Sequence, residues 1–320
     1  MCGIVGYLDR SGTTRAAVGE AIIKMLDALG RRGPDSAGVA VWGDGSHGGP
    51  RDGSRHGSRD PLGDGRADSL ILRVKLGRDG VHEETAERIA VAVQDVGRPR
   101  EVSSTGAYLR LVVDEAGDPR ELVRHVEAVA ADIEVVSLGR RLEVVKQVGS
   151  PQCLDATYGA SAFTGSHGIG HTRLSTESRV DLSHSQPFWA HGYPDLAIVH
   201  NGHITNYHKL RRRYEQQGVR FYTENDSEVV GVYLGERLAQ GMALPAALEA
   251  SIDDFDGSFS YLAATACALG FAKDRFAFKP LLVAETDAFV AVANEEIALR
   301  AALGGAYAVR EAQARDVRVW

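Results

Sequence analysis

The amino-acid sequence predicts an α+β protein, because short apolar runs of strand length are interspersed with stretches of helical periodicity. A long polar stretch interrupts this pattern after residue 42, and the polar motifs lie before it and again after residue 169. These observations predict one globular unit that is divided by an insertion.

The first 42 residues predict a strand, a helix and a second strand. Apolar residues recur at helical spacing up to residue 29, with a cap expected at Thr13 or Thr14 and with Gly30 at the C-cap position. The segment 32–38 has the composition of a loop. In order, we expect a strand at 2–7, a helix from about 13 to 29, a loop at 32–38 and a strand at 39–42.

Residues 43–69 differ sharply in composition from their surroundings. Gly, Ser, Asp, Arg and His dominate this stretch, so we expect a flexible linker that cannot contribute to a core. Strand and helix patterns then alternate from 70 to 154, which predicts a small inserted α/β unit. Its expected elements are strands at 70–74, 108–113, 135–136 and 142–145 and helices at 83–95 and 119–131.

The segment 155–320 returns to the main unit. Its Gly-rich stretch 165–170 is expected to form a turn that lacks the spacing of a phosphate-binding loop. Later in the segment, helical and strand patterns alternate up to the C-terminus. The expected elements are helices at 206–217 and from 226 onward and strands at 261–264, 281–284 and 289–293.

Composition excludes several classes of function. The chain has 320 residues, 44% of them hydrophobic and 25% charged, and its net charge of -7 argues against nucleic-acid binding. It shows neither a secretory signal nor an apolar run of the roughly 20 residues that span a bilayer. The three cysteines, Cys2, Cys153 and Cys267, are too scattered for a disulfide framework. We therefore expect a cytoplasmic protein with reduced thiols and no membrane partner.

Cys2 is the candidate nucleophile. Removal of Met1 would leave its α-amine beside its thiol, and the two groups titrate near pKa ~8 and ~8.5, respectively. The amine could then accept the thiol proton and return it to a leaving group. Taken alone, Cys2 is better explained as a small apolar residue at the start of a strand, because catalytic cysteines are rare.

A series of motifs downstream of Cys2 favours the catalytic interpretation. The motifs occur in a fixed order and resemble those of the class II glutamine amidotransferases, over about 1–42 and 155–300. This domain also heads glutamate synthase, asparagine synthetase, glucosamine-6-phosphate synthase and phosphoribosylpyrophosphate amidotransferase. The motifs that carry the resemblance are Cys2-Gly3-Ile4, Arg32-Gly33-Pro34-Asp35-Ser36-Ala37-Gly38, His171-Thr172-Arg173 with Ser175-Thr176, His200-Asn201-Gly202 and Asn225-Asp226-Ser227-Glu228.

The resemblance implies a fold and a division of the chain. The fold is the N-terminal-nucleophile αββα sandwich, in which two antiparallel sheets stack with helices outside. Residues 1–42 and 155–320 would form the amidotransferase domain, 43–69 the linker and 70–154 the inserted unit.

The resemblance also assigns roles in glutamine hydrolysis. Arg173 would bind the α-carboxylate with its two-pronged donor, and Asp226 would bind the α-ammonium. Asn201 and the backbone of Gly202 would form an oxyanion hole. Gly33 and Thr176 would lie near the substrate.

Each of these residues also has a structural explanation. Arg173 could form a surface ion pair. Asn201-Gly202 is a common hairpin turn, and Asp226 or Ser227 could cap a helix. Together they favour catalysis, because a guanidinium, an amide donor and a carboxylate all follow an N-terminal Cys in one chain.

Within the class, the runs 170–181, 184–189 and 200–210 most resemble those of the separate glutaminase subunits of glutamate-synthase-like systems, including N-methylglutamate synthase. The family's common His at position 177 is Glu177 here, so no role is carried to it. We expect no metal, since the histidines around 167–208 lack a ligand pattern, and no cofactor.

This group implies a partner and a docking element. The partner would be a glutamate-synthase-like flavin enzyme that receives the ammonia in a hetero-oligomer. The segment 70–150 is the candidate docking element, with a structural lid or a decoration as equal alternatives. Two alternatives remain, namely a glutamine-sensing regulatory subunit and an N-terminal-nucleophile hydrolase of another amide. Arg173 with Asp226 disfavours the second, because together they specify a free amino acid.

Overall fold

The structure is a computed structural model. It describes residues 2–13, 16–43, 69–77, 83–175 and 179–320. Two antiparallel sheets and a smaller third sheet dominate these ranges. The strands are β1 (Gly3–Asp9), β2 (Ser36–Trp42), β3 (Leu70–Leu76), β4 (Arg98–Thr105), β5 (Tyr108–Asp114), β6 (Ile133–Gly139), β7 (Leu142–Val148), β8 (His167–Arg173), β9 (Phe188–Trp189), β10 (Ala197–Ile204), β11 (Gly257–Thr265), β12 (Ala268–Lys273), β13 (Leu282–Glu285), β14 (Phe289–Ala293), β15 (Val309–Glu311) and β16 (Val317–Val319). The helices are α1 (Val18–Ala28), α2 (Glu83–Val93), α3 (Pro119–Glu127), α4 (Pro151–Tyr158), α5 (Tyr207–Gln216), α6 (Asp226–Ala239), α7 (Leu244–Asp254) and α8 (Glu296–Ala302).

The two large sheets stack face to face. One has the order β15-β13-β14-β1-β8-β2-β7 and the other the order β16-β12-β11-β10-β9. Strand residues alternate between faces, so every second apolar side chain enters the core between the sheets. Ile4 and Ile169 of the first sheet pack there with Val199, Leu262 and Phe271 of the second.

Helices cover the outer face of each sheet. The residues that alternate with the inner ones, such as Val5 and Val39, pack against Ile22 and Met25 of α1. On the other side α6 and α7 cover the second sheet. The layers are therefore helix, sheet, sheet, helix, which confirms the predicted αββα sandwich.

The inserted segment forms a sheet of its own. Strands β4, β5, β3 and β6 pair in that order, and α2 and α3 pack on this sheet through Ile89, Val93, Leu122 and Val126. The next strand, β7, leaves this sheet and pairs antiparallel with β2 at the edge of the seven-stranded sheet. We call residues 69–139, as far as they are described, the inserted sheet unit.

A buried carboxylate joins the inserted sheet unit to the main sandwich. Glu143 on β7 accepts hydrogen bonds from Arg73 at 2.6 Å and from Arg110 at 2.9 Å, and all three residues are buried. Burial lowers the pKa of Arg110, but the neighbouring Glu143 carboxylate raises it, and the net pKa lies above the usual value. Removing one partner of such a group would leave a buried charge uncompensated, which is strongly destabilising.

Several local expectations differ from the structure. Helix α1 begins at Val18 with Ala17 at its cap position, and it ends at Ala28, before Gly30. The segment expected to form a turn at 165–170 is mostly strand β8. An added side chain at Gly170 would lie 2.8 Å from Ile22, so the glycine allows α1 to pack closely on the strand. The expected linker at 43–69 lies almost entirely outside the described residues.

Among the described residues, no helix has both the length and the apolar character that crossing a bilayer requires.

The close approach between α1 and the turn at 160–163 generates a prediction. Glycine inside a helix normally costs about 1 kcal/mol relative to alanine. At Gly19, however, an added Cβ would lie 2.1 Å from the Ala160 carbonyl oxygen. We expect Gly19→Ala to lower the free energy of unfolding by about 1–3 kcal/mol through overpacking. Urea denaturation measures the effect, and Gly304→Ala is the control because its Cβ would meet open space. Equal or higher stability of Gly19→Ala would contradict the packing described.

Candidate active site

One cavity of about 620 Å³ lies where the two sheets meet the N-terminus of α6. It collects residues from β1, β8, β10 and α6 that are far apart in the sequence. The residues predicted for the site that line it are Cys2, Arg173, Asn201, Gly202 and Asp226.

The position of Cys2 follows from strand pairing. Gly3 pairs with Thr172 in the antiparallel register of β1 and β8, so Cys2 and Arg173 come next to each other at the end of the pair. The backbone around Cys2 is anchored on both sides: Arg32 Nε donates to the Cys2 carbonyl at 3.4 Å, and the Asn294 side chain accepts from the Ile4 amide. The Cys2 thiol itself lies 3.7 Å from the Leu174 carbonyl oxygen.

Arg173 is buried at the end of β8. Burial lowers the pKa of its guanidinium, while negative charge at Cys2, Asp181 and Asp35 opposes this effect. Its Nη1 donates to the Arg179 carbonyl at 2.7 Å. Arg173 is therefore not a surface ion-pair residue but a fixed cation near the candidate nucleophile.

Asn201 and Gly202 lie within β10 rather than in a hairpin turn. Asn201 is 4% exposed, and its Nδ2 has no hydrogen-bond acceptor among the described residues. An unpaired buried donor is costly, so an amide of this kind in a cavity wall is suited to a ligand oxygen. Gly202 has φ +145°, and a Cβ there would lie 2.3 Å from the Ser258 carbonyl oxygen, so only glycine fits.

Asp226 is the first residue of α6, and Asn225 caps the helix. The Asp226 carboxylate accepts from the Ile204 amide at 2.8 Å, which holds it at the end of β10. Its other oxygen lies 3.6 Å from His200 Nδ1. A fixed carboxylate in a cavity that also contains a fixed guanidinium complements the two charges of a free amino acid.

The other two residues predicted for the site are Gly33 and Thr176. Gly33 does not line the cavity. Its backbone lies against β8, where an added Cβ would be 2.5 Å from the Arg173 amide nitrogen, and Asp35 N donates to the Arg173 carbonyl at 3.0 Å. Gly33 thus supports the strand end that carries Arg173. Thr176 lies outside the described residues, as does Glu177.

The sequence analysis did not predict a hydrogen-bonded group in the cavity wall that joins Gln186, His200 and Ser227. Gln186 accepts from the His200 amide at 2.6 Å and donates to Ser227 Oγ at 3.1 Å. His200 Nδ1 lies 2.9 Å from the same Ser227 oxygen. This group connects β10 to the first turn of α6. The Gln186-Pro187 dipeptide was the available signal in the sequence. No residue spacing links it to His200 and Ser227, which follow 14 and 41 residues later.

Two buried histidines at the site have lowered pKa values. Burial, with the Arg173 cation as the next cause, lowers the pKa of His171 to about 3. Burial also lowers the pKa of His200, although the Asp226 carboxylate opposes this. The acidic and basic side chains in the cavity lining include Arg173, Lys279, Asp226 and Glu224. Within the described ranges, no cluster of three His, Cys, Asp or Glu side chains could hold a metal ion.

An αββα sandwich with a cysteine at the head of a central strand, facing a cavity with an amide donor, defines the class of N-terminal-nucleophile enzymes. Comparison with solved structures agrees with this fold. The glutamine phosphoribosylpyrophosphate amidotransferase of B. subtilis superposes with a TM-score of 0.58 at 18% sequence identity, over 99% of this chain and 47% of that chain. The present chain thus spans just under half the length of that protein.

Comparison with known sequences identifies the family. A model of the glutamine amidotransferase domain matches residues 171–301. A Methanothermobacter thermautotrophicus protein, whose name assigns it provisionally to the glutamine amidotransferases, is 36% identical over 303 residues, which are 94% of this chain and 93% of that protein. The glutamine amidotransferase-like protein GlxB of Rhizobium meliloti is 33% identical over 306 residues, 93% of this chain and 91% of that protein. The chain belongs to the class II glutamine amidotransferases and is an enzyme of that class.

Proposed function

We propose that this chain hydrolyses L-glutamine to glutamate and ammonia through a thioester on Cys2. The observation that carries the proposal is the convergence in one cavity of a thiol, a buried guanidinium, a carboxylate and an unused amide donor. These groups match the reacting and charged parts of glutamine one to one. Arg173 binds the α-carboxylate, Asp226 binds the α-ammonium, and Asn201 with the Gly202 amide binds the oxygen of the side-chain carbonyl.

The proposed reaction needs only groups of this chain, glutamine and water. After Met1 removal, the Cys2 amine takes the thiol proton, and the thiolate attacks the side-chain carbonyl carbon. The tetrahedral oxyanion is stabilised by Asn201 and Gly202. Its collapse breaks the carbon–nitrogen bond, and the amine returns its proton to the departing ammonia. Water then cleaves the thioester, which releases glutamate and restores the thiol. Cys2, Cys153 and Cys267 are all free thiols, which is typical of a reducing compartment, so we place the enzyme in the cytoplasm.

The processing of the N-terminus tests the nucleophile. We expect active protein to lack Met1, because the base of the mechanism is the Cys2 amine, and we expect Cys2→Ala to abolish hydrolysis while glutamine still binds. Intact-mass measurement and a glutaminase assay with isothermal titration check both points. Cys267→Ala is the control, since Cys267 is an exposed cysteine outside the cavity. Full activity with Met1 retained would refute the mechanism.

Steady-state kinetics separate the binding groups from the oxyanion group. Arg173→Ala and Asp226→Ala should mainly raise KM, because they remove contacts made in both ground and transition states. Asn201→Ala should mainly lower kcat, by about 10²–10³ as for loss of one oxyanion donor. An Asn201→Ala enzyme that differs from wild type only in KM would show that Asn201 binds substrate and does not stabilise the oxyanion.

We further propose that the ammonia passes to a separate acceptor subunit of the glutamate-synthase-like flavin type. Ammonia that escapes into neutral water is protonated and ceases to be a nucleophile, so the acceptor must lie close to the cavity. The resemblance to separate glutaminase subunits supports this choice.

Copurification from the native source tests the partner. We expect a complex with a flavin-containing subunit, and we expect its addition to raise the glutaminase rate of the purified chain. Recovery of the chain solely as a monomer or homodimer, with a glutaminase rate that no flavin subunit changes, would contradict the proposal.

A further inference from the structure

The inserted sheet unit contacts two loops of the main sandwich besides Glu143. We call residues 181–187 the first loop and residues 219–225 the second loop. The first contains Gln186, which lines the cavity, and the second leads directly into Asp226. Both loops therefore carry or precede groups of the proposed glutamine site.

The contact with the first loop is a partly buried set of charge-assisted hydrogen bonds. Ser183 Oγ donates to Glu134 on β6 at 2.5 Å and accepts from Lys75 Nζ at 2.5 Å. Lys75 and Glu134 also pair directly at 3.1 Å, with side chains 16% and 10% exposed. Because charge-assisted bonds away from water are strong, Ser183 is held firmly by the inserted sheet unit.

Ser183 is linked to both substrate-binding charges through its own loop. Asp181 accepts from the His184 amide at 2.9 Å and contributes to the negative charge that surrounds Arg173. The His184 carbonyl accepts from Asn225 Nδ2 at 3.4 Å, next to Asp226. A shift of Ser183 would therefore move the surroundings of Arg173 and of the Asn225 cap together.

The contact with the second loop is made by a tyrosine. Tyr222 donates its hydroxyl to the Glu127 carboxylate on α3 and its amide to Glu228 at 3.0 Å. Glu228 also accepts from the Thr223 amide at 2.9 Å, and Thr223 Oγ1 accepts from the Asn225 amide at 3.1 Å. These bonds run without a gap from the inserted sheet unit to the N-terminus of α6.

A buried lysine lies between the two contacts. Lys146 on β7 is 2% exposed, and the carboxylates that act on it belong to Glu134 of the inserted sheet unit, to Glu228 of α6 and, more weakly, to Asp181 of the first loop. Burial lowers the pKa of Lys146 to about 8, and these carboxylates oppose the shift. The positive charge that remains at neutral pH is attracted to Glu134 and Glu228, which favours a fixed distance between the unit and the helix.

We propose that the inserted sheet unit positions the amino-acid-binding half of the site, with Ser183 and Tyr222 as its two positioning residues. This rests on the proposed binding of glutamine by Arg173 and Asp226. It concerns binding and not the chemical step, because the first loop carries Asp181, whose charge acts on Arg173, and the second loop leads into Asp226. No bond of these two loops reaches Cys2 or Asn201 among those described above.

Kinetics of two conservative variants test the proposal. Ser183→Ala and Tyr222→Phe each remove one hydroxyl that joins a loop to the inserted sheet unit. We expect each to raise the KM for glutamine by about 3- to 30-fold, as for network residues that do not touch the ligand, with kcat within about twofold of wild type.

Two matched controls remove the same kind of bond elsewhere. Ser69→Ala deletes a serine–carboxylate bond of 2.6 Å to Asp114 inside the inserted sheet unit. Tyr233 lies on the same helix as Asp226, and Tyr233→Phe deletes its hydroxyl bond of 2.7 Å to the Asp254 carboxylate of α7. Both controls should keep the wild-type KM. Glu134→Gln should raise the KM for glutamine, as Ser183→Ala does. The proposal is overturned if the test variants keep the wild-type KM, lose only kcat, or match their controls.

Hydrogen exchange of the full chain without glutamine separates this proposal from the proposed function. We expect faster amide exchange in 181–187 and 219–228 of Ser183→Ala and Tyr222→Phe, and unchanged exchange there in both controls. A wild-type enzyme inactive on glutamine refutes the proposed function but leaves this readout valid. Unchanged exchange in both test variants overturns the positioning role, whatever the substrate.

Discussion

The antiparallel register between β1 and β8 is the constraint on which the rest of the site depends. It sets Gly3 opposite Thr172 and brings Cys2 next to Arg173 at the same strand end. Because side chains alternate along a strand, a slip of one residue would turn Arg173 to the opposite face of the sheet. The register is fixed by burial on both faces, with Ile4 and Ile169 in the core between the sheets and Gly168 and Gly170 under α1.

The same alternation places the other half of the site. Cys2 shares a face with Ile4, and Arg173 shares a face with Ile169, so both point towards the second sheet. On β10, Asn201 shares a face with Val199, which lies in the same inner core. Two stacked sheets with these patterns must therefore bring the thiol, the guanidinium and the amide into one space. Asp226 reaches that space from outside, through its bond to the amide at the end of β10.

The motif-bearing residues could be predicted from the sequence because they are local signals with distinctive chemistry. Cys2, Arg173 and Asp226 were found in this way, and the sandwich followed from the resemblance that they carry. Glycines in β8 were misleading, since a Gly-rich stretch indicates a turn unless a helix packs against it, and that packing partner lies about 150 residues away. Gln186 was missed for a similar reason: its significance depends on hydrogen bonds to His200 and Ser227, which only the folded chain brings together.

The site divides into a part held by sheets and a part held by loops. Cys2 and Asn201 are fixed by strand pairing and by the core between the sheets, which is the stiffest region of such a fold. Arg173 and Asp226 sit where strands and helices end, and polar side chains from the inserted sheet unit surround the loops beside them. Groups that react must be placed within a fraction of an ångström, whereas groups that hold a charged substrate tolerate more movement. The inserted sheet unit contacts strand β7 through Glu143 and the loops beside Arg173 and Asp226 through Ser183 and Tyr222. The positioning proposed for it therefore concerns how tightly the amino acid is held and leaves the nucleophile on its paired strands.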